Sequence, residues 1–274
     1  MYVDFEYANR RLTDFGCIMC HLNTDAGMRE MSIGCDITFN TVKNNQSSLH
    51  RATSSTYENV YETTFEIMKN VCGESQDDIY MTLDEVRQLT KWLNRREHHK
   101  FKMYNPDYSV ESYIYFGSFN VKQIMLNGKV VGLSLTFTSN SPYALGEKVS
   151  VTYDITERNK HIYYYGDSDE YGLIYPNITI QFAEACNDFN ITNNTTGTTV
   201  YLRNCAKDEI ILLDGEYKII TTDRKTHTTL FNDFNYEYID ILVDENDFNE
   251  NEYVISNPCT ITLEYYPVRK VGVY

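Results

Sequence analysis

Residues 124–138, IMLNGKVVGLSLTFT, contain the clearest fold signal in the chain. Asn127 and Gly128 stand between two apolar runs, and this pair favours the two-residue turn of a β-hairpin because both turn positions need a positive φ. In the run that follows, alternate positions are large and apolar: Val131, Leu133, Leu135 and Phe137. Since successive side chains of a strand point to opposite faces, the stretch predicts a hairpin with one buried face.

The same alternation recurs along the chain. It is present in YETTFEIM (61–68) and in many runs of the second half: VSVTYDI, HIYYYG, NITIQF, TTVYLRN, EIILLDG, YKIITTD, EYIDILVD and CTITLEYY. Asn, Asp and Gly separate these runs at intervals of about 8–12 residues, which is typical of a β-sandwich. A second tight hairpin is predicted at Asp214-Gly215, and no helix is predicted between 149 and 274.

One helix is predicted in the first half, in TLDEVRQLTKWLNRREHHK (82–100). Thr82 and Glu85 have the spacing of a capping box, which satisfies free N–H groups at a helix start. The apolar positions then form one stripe: Val86, Leu89 and Leu93, with Trp92 beside it. Cations complement the dipole at the end of a helix, and three follow: Arg95, Arg96 and Lys100. We expect a helix over about 82–97 that lies on a sheet.

The chain is long enough for two domains of ordinary size. Pro142 and Gly146 interrupt the alternation in SNSPYALGEKVS, which predicts domains at 1–148 and 149–274. Segment 22–56 is polar with short apolar pieces, and we interpret it as a protruding arm because loops of this length are usually functional. The predicted fold class is all-β with one helix in the first domain, arranged as two β-sandwich domains.

Charge and composition exclude several classes of protein. The net charge is −15, which argues against a nucleic-acid partner, because such proteins present a basic surface. Residues 1–148 carry 15 Lys and Arg against 18 Asp and Glu, and residues 149–274 carry 9 against 21, so the excess of −12 lies in the second part. No apolar run is long enough to span a bilayer, and MYVDFEYANRR at the start lacks the apolar region of a signal peptide. The seven scattered cysteines are typical of reduced thiols in a cytosol.

Cys17, Cys20 and His21 spell C-x-x-C-H, the motif of covalent haem attachment. Their neighbours alternate as a strand, so the two thiols are expected on opposite faces, out of reach of one porphyrin edge. A zinc site would need a second ligand pair, and a thioredoxin-like site would need a βαβ unit. We therefore predict no haem, metal or redox role for these residues.

The remaining candidates for chemistry are weak. His98 and His99 would diverge on a helix and would not converge on one ion. The acidic segments GDSDEYG and VDENDFNEN lack the spacing of a calcium loop. No nucleophile elbow, P-loop or dinucleotide-binding glycine motif occurs. The sequence predicts no catalytic, cofactor-binding or metal-binding residue, and no enzyme.

Three segments in order carry a family resemblance: RLTDFGCIM (11–19), LTKWLNRREHHKFKMYNPDYSVESYIYFGSFN (89–120) and VVGLSLTFTSNSPYALG (130–146). Together they resemble the siphovirus tail-component family, the distal tail (Dit) proteins of long-tailed phages, with RLTDFGCIM as the opening strand. The run from YPNITIQFAEACNDFNITNN to TITLEYYPVR, with its Tyr-Tyr-x-x-Arg, is similar to the family's galectin-like second domain.

The resemblance implies a structural virion protein assembled in the host cytoplasm. It implies a hexameric ring built by the first domain, with the arm at 22–56 embracing a neighbour and the second domain outside the ring. The implied partners are the tail tube protein, the tape measure protein and a tail-tip or tail-associated protein, with no nucleic acid and no membrane insertion. The arm contains MREMSIGCDITF where the family often has a Gly-rich stretch.

The alternative hypothesis is a carbohydrate-binding β-sandwich protein that recognises a host surface glycan through Tyr-rich strands such as HIYYYG. HTTLFNDFN (227–235) lacks the sugar-binding signature of galectins, and the single Trp lies in the first domain. The sequence leaves both hypotheses open.

Overall fold

The computed structural model describes residues 4–20, 37–42, 51–57, 60–71, 79–104, 113–244 and 250–270. The chain divides into two compact units, one formed by Met1–Glu147 with Arg269–Tyr274 and the other by Lys148–Val268. The described residues are mostly in strands and include a single α-helix, which lies in the first unit. The predicted all-β class with one helix is therefore confirmed.

The first unit contains ten strands and the helix in chain order: β1 (Asp4–Tyr7), β2 (Arg10–Arg11), β3 (Cys17–Cys20), β4 (Ile37–Val42), β5 (Arg51–Tyr57), β6 (Glu62–Lys69), α1 (Leu83–Leu93), β7 (His99–Tyr104), β8 (Ile114–Leu126), β9 (Lys129–Ser139) and β10 (Ala144–Leu145). Its main sheet is antiparallel, in the order β2-β1-β7-β8-β9-β6-β3. A 3₁₀ turn, Leu12–Phe15, joins β2 to β3.

The hairpin of β8 and β9 turns where the sequence predicts it. Leu126 pairs with Lys129 across the turn, and Asn127 and Gly128 have φ of 50° and 78°. Leu133, Leu135 and Phe137 of β9 are fully buried. The predicted buried face is therefore confirmed.

The stretch around Phe15-Gly16 is not the opening strand, and here the prediction is wrong. Two strands precede it, and Gly16 ends the 3₁₀ turn with a φ of 64°, a left-handed conformation that glycine adopts without strain. Its N–H donates to the carbonyl of Thr13, and its carbonyl accepts from the N–H of Asn70. The Phe-Gly pair therefore forms the end of a turn, and β3 begins only at Cys17.

Helix α1 starts as predicted and ends earlier than predicted. Thr82 caps it, accepting a hydrogen bond from the Glu85 N–H at 3.3 Å while its own N–H donates to the Glu85 carboxylate at 2.6 Å. The helix ends at Leu93, because His99 and the residues after it pair with β8 as strand β7. The prediction of 82–97 is thus too long, and His99 and Lys100 lie in a strand.

Aromatic rings fill the core of the first unit. The Trp92 ring stacks on Phe5 with centroids 5.5 Å apart, and its indole N–H donates to the carbonyl of Tyr7 at 2.8 Å. The rings of Phe101 on β7 and Phe137 on β9, the two strands that flank β8, have centroids 4.4 Å apart. The apolar stripe predicted for the helix is buried against these rings, which fixes α1 on the sheet.

The second unit contains twelve strands, the last of which ends one residue beyond it: β11 (Val149–Ile155), β12 (Lys160–Tyr165), β13 (Gly172–Ile174), β14 (Asn177–Phe182), β15 (Cys186–Asn193), β16 (Thr199–Cys205), β17 (Ile210–Asp214), β18 (Ile219–Thr222), β19 (Ile241–Val243), β20 (Glu250–Ile255), β21 (Cys259–Tyr265) and β22 (Val268–Arg269). No helix occurs among the described residues of this unit, as predicted. The predicted hairpin at Asp214-Gly215 is formed by β17 and β18, with a loop of residues 215–218.

Two sheets of the second unit enclose one core. The first has the order β11-β21-β14-β17-β18 and the second the order β12-β20-β15-β16. Phe182 of the first sheet meets Phe189 of the second with ring centroids 4.9 Å apart, and both rings are fully buried. This arrangement is a β-sandwich. Its galectin-like character stays a prediction.

Candidate functional site

The two thiols of the C-x-x-C-H motif lie in β3 at the edge of the main sheet. Cys17 is buried in the core, whereas Cys20, three residues on, is half-buried and pairs with Glu66 of β6. Burial raises the pKa of Cys17 and of Cys20 to about 11, so both are neutral thiols at physiological pH. His21 lies outside the described residues. The two thiols are three residues apart on one strand, a spacing at which side chains point to opposite faces of a sheet.

The other residues considered for metal binding, His98, His99 and the two acidic segments, each have their own surroundings. His98 precedes β7 and its Nδ1 lies 3.2 Å from the Ser118 hydroxyl, while the His99 ring meets the Tyr7 ring edge-on. In GDSDEYG, the Asp169 N–H donates to the carbonyl of Val268, which fixes the loop backbone. Residues 245–249 of VDENDFNEN lie outside the described residues. Over the part of the chain that the structure describes, no three His, Cys, Asp or Glu side chains could hold a metal ion.

The predicted arm contains an exposed β-ribbon. Its described residues, 37–42 and 51–56, form β4 and, together with Tyr57, β5; these two strands pair with each other and with no other described strand. Ile37 and Phe39 are on one face because they are two residues apart, and Tyr57 is opposite Ile37. These side chains are 49%, 66% and 39% exposed, respectively. The rest of segment 22–56 lies outside the described residues.

An isolated two-stranded ribbon is marginally stable in water, because it has no layer against which to bury its apolar face. Among the described residues, the Tyr57 ring of the arm ribbon packs on the Tyr143 ring with centroids 4.9 Å apart. Ile37 and Phe39 remain half or more exposed. An exposed apolar face of this kind is typical of a surface that another protein covers.

A second exposed surface is the outer face of the sheet β12-β20-β15-β16. Tyr163 and Tyr165 point outward from β12 and are 53% and 64% exposed. Across the strand pair, the Tyr165 hydroxyl donates to Glu250 at 2.7 Å, and Glu252 lies 2.7 Å from His161 Nδ1. The hydrogen bond from His161 lowers the pKa of Glu252. The face presents aromatic rings beside the carboxyl groups of Glu250 and Glu252.

The second unit also contains a buried cluster of one histidine and two carboxylates, which the sequence does not predict. His227 lies between two carboxylates, with Nδ1 at 2.7 Å from Glu209 and Nε2 at 3.3 Å from Asp233. Glu209 also accepts from the Thr222 hydroxyl and the Ala206 N–H, and is fully buried. The cluster therefore joins the loops on either side of β17 and β18.

The pKa values of both carboxyls in this cluster fall. Burial alone would raise the pKa of Glu209, but hydrogen bonds from Ala206, Thr222 and His227 outweigh it and the net shift is downward. The hydrogen bond from Thr229 is the main cause that lowers the pKa of Asp233. HTTLFNDFN contains His227 and Asp233, but Glu209 is 18 residues earlier in the sequence, and no local pattern links it to them.

Taken together, the two units are β-rich modules with an exposed apolar ribbon, the architecture of a structural assembly protein. A family model described as "Phage tail protein N-terminal domain" matches residues 1–141, and one described as "Phage tail C-terminal domain" matches residues 143–265. The chain belongs to this phage tail protein family. It is a tail component of the virion, as predicted.

One solved structure has the same fold along nearly the whole chain. The Dit protein of phage SPP1, described as a paradigm of the hub adsorption apparatus in phages that infect Gram-positive bacteria, superposes with a TM-score of 0.64 at 12% identity, covering 97% of this chain and 99% of that one. A chain of the phage P2 baseplate in its activated conformation with Ca gives 0.48 at 10% identity, covering 99% and 100%. No curated protein matches the sequence. The similarity to SPP1 Dit bears out the predicted Dit-like fold.

None of the helices in the described residues is long and apolar enough to cross a membrane.

Proposed function

We propose that this chain is the ring-forming hub at the distal end of a phage tail, where it joins the tail tube to the baseplate or tail tip. The observation that carries the proposal is the extent of the fold match. It spans 97% of this chain and 99% of SPP1 Dit, a hub protein by its description, so both units have a counterpart there. The proposed role is structural, with no catalytic step.

Ring formation would also explain the arm ribbon. A heterologous contact that closes on itself gives every subunit the same two neighbours and avoids open-ended growth. The face of Ile37, Phe39 and Tyr57 is apolar and exposed in the single chain, and a neighbouring subunit would bury it. We propose a hexamer in which residues 1–148 build the ring and the galectin-like residues 149–274 face outward. Its partners would be the tube, tape measure and tail-tip proteins.

Light scattering of the purified chain tests this proposal. Six chains of 32.0 kDa give a particle of about 190 kDa. We expect Phe39→Ser to reduce that mass, because it removes the most exposed ring of the ribbon. Tyr217→Ser, at a 69% exposed position of the second unit, is the matched control and should leave the mass unchanged. A wild-type chain that stays at 32 kDa at high concentration would refute the hub.

The second candidate is a carbohydrate-binding role in host recognition, favoured by the outer face of β12 and β20. Tyrosine rings can stack on sugar rings, and adjacent carboxylates can accept hydroxyl hydrogen bonds. A glycan array tests it with the wild type and with Tyr163→Ala/Tyr165→Ala. Hits that disappear in the double variant would support this role, and an array without hits would argue against it.

A further inference from the structure

One face of α1 carries a row of positive charges. Arg87 and Lys91 lie one above the other on the helix surface because they are four residues apart, and Arg95 follows two residues after the helix ends. Across from them, Arg10 of β2 completes a cleft of about 400 Å³. All four side chains are exposed. The cleft is therefore basic in a chain whose net charge is −15.

This row is unfavourable for the isolated chain. Like charges four residues apart on a helix destabilise it. Across the described ranges, no ion pair involves any of the four cations. The acid in the cleft lining, Asp84, accepts a hydrogen bond from Gln88 at 2.9 Å. Like charges side by side in one cleft are a local conflict, which is expected where a surface binds a partner.

The cleft is held in place by aromatic stacking. The Phe15 ring stacks on Trp92 with centroids 4.4 Å apart, and the Arg10 guanidinium carbon lies 4.1 Å above the Phe15 ring. The Arg95 side chain is fixed by a hydrogen bond from Nε to the Trp92 carbonyl at 2.9 Å. Two of the four cations are thus ordered before any partner binds, which lowers the entropy cost of binding.

We propose that this basic cleft binds an extended acidic segment of a second copy of this chain. Four residues of helix rise about 6 Å, and alternate residues of a strand are about 6.7 Å apart. Two carboxylates at alternate positions of an extended segment therefore match the spacing of Arg87 and Lys91, and Arg95 and Arg10 line the same cleft. Charge complementarity favours a second copy, because residues 149–274 carry a net charge of −12. This inference rests on the proposed ring and identifies one contact between two of its subunits.

Sedimentation equilibrium at low and high salt tests the contact. The variant is Arg87→Gln/Lys91→Gln, which removes two charges from exposed positions and keeps good helix formers. The control is Lys207→Gln/Lys225→Gln, which removes two exposed charges from the second unit. We expect the variant to weaken self-association about tenfold at low salt and to reduce its salt dependence. The control should behave like the wild type.

The outcomes separate the two proposals. A wild type that assembles and a cleft variant that assembles equally well would overturn the contact and leave the ring intact. A wild type that remains monomeric would overturn both. Binding of a short DNA duplex by the wild type, lost in the variant while self-association is unchanged, would overturn the second copy as the occupant.

Discussion

Replacing Glu209 by glutamine keeps the shape of a fully buried side chain and removes its charge. The carboxylate accepts from the Thr222 hydroxyl at 2.7 Å, the Ala206 N–H at 2.8 Å and faces His227 Nδ1 at 2.7 Å. Hydrogen bonds to a buried charged group contribute about 1.5–3 kcal/mol each, and glutamine retains part of this set. We expect Glu209→Gln to lower the free energy of unfolding of the second unit by about 3 kcal/mol.

The two units can be followed separately because the single Trp of the chain, Trp92, is buried in the first unit. A loss of about 3 kcal/mol corresponds to a fall of about 10 °C in melting temperature for a unit of this size. Calorimetry of Glu209→Gln should therefore show the transition of the second unit about 10 °C below that of the wild type. The transition followed by Trp92 fluorescence should not move. Glu216→Gln, at an exposed position, is the control and should change neither.

The effect of Glu209→Gln should also depend on pH. The pKa of Glu209 is lowered in the folded chain, so its charge contributes stability that is present above the unfolded pKa of about 4.3 and is lost as the pH falls through the folded value. The difference between wild type and variant should therefore be largest near neutral pH and shrink below about pH 4. If the free energies of unfolding of wild type and variant differ by less than about 0.5 kcal/mol at pH 7, or by the same amount at every pH, the charge of Glu209 does not stabilise the second unit.

Three further predictions concern the first unit. Leu133→Ala should lower the free energy of unfolding reported by Trp92 fluorescence in urea by about 2–5 kcal/mol, because Leu133 is fully buried; a loss under 1 kcal/mol would contradict its place in the core. Thr82→Ala should cost about 1 kcal/mol in the same assay through loss of the helix cap, and an unchanged midpoint would contradict the cap. Cys17 and Cys20 should react slowly with iodoacetamide at pH 7.4 and fast in urea, because burial in the folded chain raises the pKa of both thiols to about 11. Peptide mass spectrometry resolves the two sites, and equal rates in the two conditions would show that the thiols are accessible.

Local signals account for the parts of the fold that the sequence predicts. The turn at Asn127 and Gly128 and the cap at Thr82 each depend on residues within four positions of one another, so their pattern is visible in the sequence. The end of α1 is different. It is decided by the pairing of His99 with Gly117 of β8, a contact distant in sequence, and tertiary pairing there overrides helix propensity.

The functional surfaces are predictable to a smaller extent. The polar character of segment 22–56 indicates an arm, but the exposed face of Ile37, Phe39 and Tyr57 depends on the register of β4 and β5. The neighbouring positions of Arg87 and Lys91 on α1 follow from helical spacing, whereas the position of Arg10 in the same cleft depends on how β2 and the 3₁₀ turn fold back. Contacts between segments distant in sequence leave no periodic pattern.

Negative-stain electron microscopy of the purified protein will show whether this phage tail protein closes into a ring. Class averages should show closed rings with six-fold symmetry, the symmetry that the proposed hub requires. Averages that show only isolated single chains, or open filaments of variable length, would rule out a closed ring.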